Sequence, residues 1–152
     1  MLCTDIGVCY NQFSKLEFDE GGQMMYYSIK SNEDIQCFYE KANSLHDGYI
    51  IGVQYEHKGI AKTEHGHVFD FEQTKLVLKI LVTSIWDAVV ELEFDGICEW
   101  QIKDNQWDMT DTTVMFDDQD RIIWSDDFYI NMEETKKVSY IIAKSMKWRI
   151  AE

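Results

Sequence analysis

Along most of the chain apolar and polar residues alternate with a period of two. The cleanest run is Ala88–Asp95, where Ala88, Val90, Leu92 and Phe94 fall on one side of an extended backbone and Glu91, Glu93 and Asp95 on the other. That is the pattern of a half-buried antiparallel strand. Less regular runs of the same kind occupy Ser14–Phe18, Met24–Ile29, Tyr49–Tyr55, His67–Phe71, Leu76–Thr83, Gly96–Ile102, Thr113–Phe116, Ile122–Trp124 and Val138–Ile150. Lys144 interrupts the last of these, which predicts a bulge or bend near Ala143–Ser145.

One segment changes period. From Ser31 or Asn32, Ile35, Phe38, Tyr39, Ala42 and Leu45 recur at three-and-four spacing, and Glu33 and Asp34 suit the positive end of a helix dipole. The pattern predicts one helix over about 32–46, with His46 favourable at its negative end and Gly48 supplying a left-handed turn. Short strands at close spacing, joined by turns of Gly, Asn and Asp, imply an antiparallel meander. The predicted fold is α+β and mostly β: an antiparallel sandwich or a strongly curved sheet with one covering helix. The chain has no Pro, no Gly/Ser-rich stretch and no internal repeat, so nothing marks a linker and residues 1–152 read as a single domain.

Composition agrees with a folded domain. At 45% hydrophobic and 14% aromatic residues, the apolar surface is ample to offset ordering entropy. Charge adds a constraint on partners. The net charge is −14, and residues 104–134 hold ten acidic residues against one Arg, whereas residues 135–152 hold five basic against one acidic. Such a field repels nucleic-acid phosphates and anionic membrane surfaces and favours a basic protein partner. The start, MLCTDIGVCYNQF, lacks the basic and apolar regions of a signal peptide, and no stretch reaches the length of a spanning helix. The expected compartment is the cytoplasm, with Cys3, Cys9, Cys37 and Cys98 as reduced thiols because no CxxC pair occurs.

Three groups of residues are candidates for chemistry or recognition. His57, His65 and His67, with Asp47 or Asp70 as a fourth ligand, could hold zinc, since His65-Gly66-His67 in an extended chain sets two imidazoles on one side. The plainer reading is polar decoration of a hairpin tip containing Lys58, Gly59 and Lys62. The second group, Asp117, Asp118, Asp120, Asp126 and Asp127, fails the calcium-loop pattern, because no Gly follows Asp120 and an apolar strand splits the set. It reads as two solvated turns that together offer a carboxylate-rich surface. Third, Trp107 stands among Asp104, Asn105, Gln106 and Asp108, where an anchor for a basic partner is more natural than a core residue. No serine or cysteine stands in a nucleophile context and no phosphate loop is present, so the reading leans away from an enzyme.

Leu45-His46-Asp47-Gly48, the strand that includes Glu91-Leu92-Glu93-Phe94, and the ending Ile142 to Ile150 with its Trp148-Arg149 resemble a group of small uncharacterised bacterial proteins over roughly residues 45–150. In character, being small, acidic and free of catalytic motifs, the chain is also similar to immunity proteins of bacterial toxin systems. That likeness implies a non-enzymatic module that neutralises a basic toxin. Two alternatives stand beside it: a metal-binding protein or metal-assisted hydrolase using the three histidines, and a structural subunit that associates through a sheet edge.

Overall fold

The computed structural model describes residues 20–22, 25–103, 108–127 and 138–151. Among these residues the order of elements is β1 (Tyr27–Ile29), α1 (Asn32–Lys41), β2 (Gly48–His57), β3 (Ile60–Thr63), β4 (Gly66–Phe69), β5 (Thr74–Val82), β6 (Ala88–Gln101), β7 (Thr113–Phe116), β8 (Ile122–Ser125) and β9 (Tyr140–Ile150). The strand expected at Ser14–Phe18, together with Cys3 and Cys9, lies outside the described residues.

Seven strands form one open antiparallel sheet in the order β2-β5-β6-β9-β8-β7, with β1 also paired to β9; β3 and β4 form a separate pair. The mostly β reading with one helix therefore holds. Of its two versions, the single sheet is correct, because the layer opposite the sheet is the helix and the β3–β4 pair is exposed throughout. Among the described residues no helix is long and apolar enough to cross a membrane.

The alternation of Ala88–Asp95 sets the core. Val90, Leu92 and Phe94 are fully buried, and register places them beside Ile80, Leu78 and Leu76 on β5. On β9 the neighbours of Leu92 and Phe94 are Trp148 and Met146. The helix lays Ile35, Phe38 and Ala42 on this face, and the Phe38 ring meets Trp148 edge-on at 5.4 Å. Full burial of a side chain such as Phe38 contributes about 1.5–3 kcal/mol.

At the helix start, Ser31 Oγ accepts the Asp34 backbone N–H at 3.2 Å and donates to Asp34 Oδ2 at 3.0 Å, which satisfies an otherwise open donor of the first turn. The end differs from the sequence expectation. The α-helix stops at Lys41, and the left-handed residues are Asn43, Ser44, Leu45 and Asp47 rather than Gly48. Gly48 instead begins β2, and it is needed for closeness: a Cβ there would stand 2.6 Å from the Leu45 carbonyl oxygen.

The irregularity predicted near Ala143–Ser145 is real but sits mainly on the partner strand. The β6–β9 register shifts between Ile97 and Glu99, opposite Ala143 and Ile142. Just before it, Gly96 takes φ +67 beneath the Lys144 side chain.

Candidate interaction surface

Among the described residues β2 is an edge of the sheet: β5 lies on one side, and on the other Gly48 alone is paired, with the Met109 N–H donating to its carbonyl at 2.9 Å. From Tyr49 to His57 no described residue pairs with the outer side of the strand. A register shift between Ile50 and Gly52 turns Val53, Tyr55 and His57 to the face shared by Leu78, Leu76 and Thr74. That is the core face, yet Val53 is 43% and Tyr55 41% exposed.

The β2–β5 ladder continues past the sheet. The Lys58 N–H donates to Gln73 O at 2.8 Å and the Asp70 N–H to Gly59 O at 2.7 Å. Ile60 then pairs with Phe69 and Lys62 with His67. The result is a two-stranded arm whose residues are exposed from Ile60 to Phe69. Gly59 permits the close approach at its root, where a Cβ would lie 2.2 Å from the Asp70 carbonyl oxygen.

Aromatic rings join the arm to the edge. Trp100, on β6, stacks on Tyr55 with centroids 5.5 Å apart. His57 stands edge-on to Phe71 at 5.0 Å and to Phe69 at 5.9 Å, and both of its ring nitrogens are buried with no hydrogen-bond partner. Phe71 is 67%, Phe69 54% and Trp100 39% exposed. Along β2, the arm and Trp100, nine large apolar side chains are 39% to 67% exposed, Tyr49 on the opposite face from Val53 and Tyr55.

The three candidate zinc ligands do not converge. His57 is held among phenylalanine rings, His65 lies in the turn between β3 and β4, and His67 is out on the arm beside Lys62. The predicted extended His65-Gly66-His67 is broken by that turn, with Gly66 at φ +120. Asp70 is engaged by Gln73 Nε2 at 2.8 Å and the Glu72 N–H at 3.0 Å, and Asp47 pairs with His46 at 3.1 Å. Among the described residues no group of three or more His, Cys, Asp or Glu is placed to hold a metal ion.

The acidic candidates divide by job. Asp117 ties the β7–β8 turn: it accepts the N–H groups of Gln119 and Arg121 at 2.9 Å each and the Arg121 Nε at 2.7 Å. Burial works against its charge, but these donors outweigh it and hold the carboxyl below its usual range. Asp126 is buried and accepts the Ser139 N–H at 3.1 Å. Asp108, Asp118, Asp120 and Asp127 are exposed, the middle pair at the β7–β8 turn and Asp127 at the other end of that hairpin. Trp107 lies outside the described residues. Since β7 is the edge opposite β2, the hairpin carboxylates stand about 24 Å across the sheet from the open edge, at five strand spacings.

Two features are absent from the sequence reading. Trp86 is 98% exposed, in a turn where it and Asp87 are both left-handed. On the outer face of the sheet, Glu91 and Glu93 are buried rather than solvated. Glu93 Oε1 receives Lys75 Nζ at 2.6 Å and Lys147 Nζ at 3.1 Å; Glu91 receives Arg149 Nε at 2.8 Å and the Tyr26 hydroxyl at 3.0 Å. The Tyr26 ring lies under Lys147 and Arg149, at 4.8 and 4.5 Å from its centroid. Burial, and then the hydrogen bond to Glu91, push the Tyr26 hydroxyl far above its ordinary value. The charges of this lattice are paired with one another.

Comparison of the chain with protein-family models, curated proteins and solved structures finds no match.

Proposed function

We propose that the chain is a non-enzymatic protein-binding module that associates through the open β2 edge, the Tyr55–Trp100 stack and the projecting arm. The observation that carries this reading is the arm. A two-stranded ribbon is marginal in water by itself, and this one carries Ile60, Val68 and Phe69 at 49%, 53% and 54% exposure. Covering those side chains would stabilise both ribbon and complex. Aromatic residues set beside an unpaired strand supply what β-augmentation requires, main-chain pairing for affinity and side-chain contacts for specificity. The scattered positions of His57, His65 and His67 favour this reading over a zinc site or a metal-assisted hydrolase.

A second reading, inhibition of a basic protein such as a toxin, is favoured by the placement of Asp118 and Asp120 on the far edge. There they could steer a cationic partner without obstructing the apolar end. The test is affinity capture with the tagged chain at low and high salt, comparing wild type with Tyr55→Lys/Phe69→Lys and Asp118→Lys/Asp120→Lys. Loss of the captured protein in the first variant alone supports the apolar surface. Salt-sensitive capture lost only in the second supports the acidic edge. A partner retained by both variants contradicts both readings.

A further inference from the structure

The geometry points to a second copy of this chain as the occupant of the β2 edge, paired antiparallel across a twofold axis so that the two sheets run on as one. This rests on the association reading above and names its partner. The first support is the strand itself: Ile51, Val53 and Tyr55 are 55%, 43% and 41% exposed along the segment that pairing would cover. Edge-to-edge pairing also satisfies the backbone groups that an exposed strand leaves open.

Charge supplies the second support. Two chains of net charge −14 repel unless the contact keeps their charges apart. β2 holds a single ionisable carboxylate, Glu56, and Lys58 Nζ lies 3.4 Å from it, so the edge brings no uncompensated charge into the contact. The acidic hairpins sit on the opposite edges. After β2–β2 pairing they would be about 50 Å apart, several Debye lengths at physiological salt. A basic protein, by contrast, gains nothing electrostatically from this neutral edge.

The two edges also differ in how they are guarded. β7 has four residues and carboxylates at both ends of its hairpin, whereas β2 has ten and shows Ile51 55% exposed. Short, charged edges discourage pairing and long apolar ones invite it. A register centred on Val53 sets Tyr55 opposite Ile51 of the second copy, an aromatic–β-branched pair of the favourable kind, and keeps Glu56 from facing its own image. Twofold symmetry then closes the assembly at two chains and leaves no further open β2 edge.

The experiment is sedimentation velocity on the full chain over a wide concentration range, with wild type, Val53→Lys, Tyr55→Lys and the far-edge control Asp118→Lys. Circular dichroism melts confirm that each variant is folded. Wild type and Asp118→Lys should sediment at twice the chain mass of 18.0 kDa. Val53→Lys and Tyr55→Lys should be monomers, with the dimer dissociation constant raised about 100-fold or more, by like charges facing each other at Val53→Lys and by loss of the Tyr55–Ile51 pair at Tyr55→Lys. A wild type that stays monomeric at every concentration overturns the inference, as does a dimer that both lysine variants leave intact. If the wild type is monomeric while Tyr55→Lys still abolishes capture of a different protein, the association reading survives and only the second copy fails. If Tyr55→Lys changes neither, both fail.

Discussion

Glu93→Gln isolates the outer-face lattice, because it keeps the side-chain volume and removes the one negative charge between Lys75 and Lys147. Glu93 is 5% exposed, and the two ammonium groups lie 2.6 and 3.1 Å from the same oxygen. Removing one partner of a buried pair costs about 3–5 kcal/mol. Lys75 and Lys147 can swing partly into solvent, their side chains being 28% and 35% exposed, so the expected loss is lower, about 2–3 kcal/mol. For a domain of this length that is a fall in melting temperature of about 5–10 °C.

The effect has a pH signature. Burial raises the Glu93 carboxyl, but hydrogen bonds from Lys75 and Lys147 outweigh it and leave the group below its ordinary value. A group depressed in the folded state stabilises fully above its unfolded pKa of about 4.3, and that stabilisation is lost as pH falls through the folded value. Chemical denaturation of wild type and variant from neutral to acid pH should therefore show a gap that is constant above about pH 5 and closes below it. A gap under ~0.5 kcal/mol at neutral pH, within the range of an ordinary surface substitution, would refute the reasoning, as would a gap that widens on acidification.

Other expectations follow from single positions. His57→Phe removes two buried ring nitrogens that have no partner while keeping a ring against Phe69 and Phe71; urea titration should show a gain of about 1 kcal/mol. Gly48→Ala should cost about 3 kcal/mol or more, because the new methyl group meets the Leu45 carbonyl oxygen at 2.6 Å and Ile80 Cγ2 at 3.0 Å; a melt matching wild type would contradict that packing. Trp86→Gly, at φ 60 and 98% exposed, should raise stability by about 1 kcal/mol, since the left-handed region costs an L residue that much and glycine almost nothing.

What the sequence made legible was local. Ala88–Asp95 carried its own alternation and proved to be the centre of the sheet; Thr113–Phe116 was bounded correctly because a run of acidic turn residues follows it. The strand at Ile60–Thr63 was missed because Ala61 and Lys62 give it no apolar alternation and its partner lies in the exposed arm. Non-local facts stayed hidden. Glu91 and Glu93 look solvent-facing until register sets Arg149 and Lys147, more than fifty residues away, beside them. Whether Tyr49–His57 is a central or an edge strand depends on pairing, which its own residues do not encode. Asp117 and Asp126 resemble their exposed neighbours in sequence, yet Asp117 is bonded within its turn and Asp126 is buried and bonded to Ser139.

The central claim, that β2 and the arm form an association surface, is tested most directly by amide hydrogen exchange of the full chain at about 1 and about 100 μM, which reads local opening segment by segment. Exchange across Tyr49–His57 should slow by about tenfold or more at the higher concentration, as main-chain pairing covers the open edge, while β7 and β8 remain unchanged. Identical exchange in Tyr49–His57 at both concentrations, in the absence of any captured partner that slows it, would contradict the account.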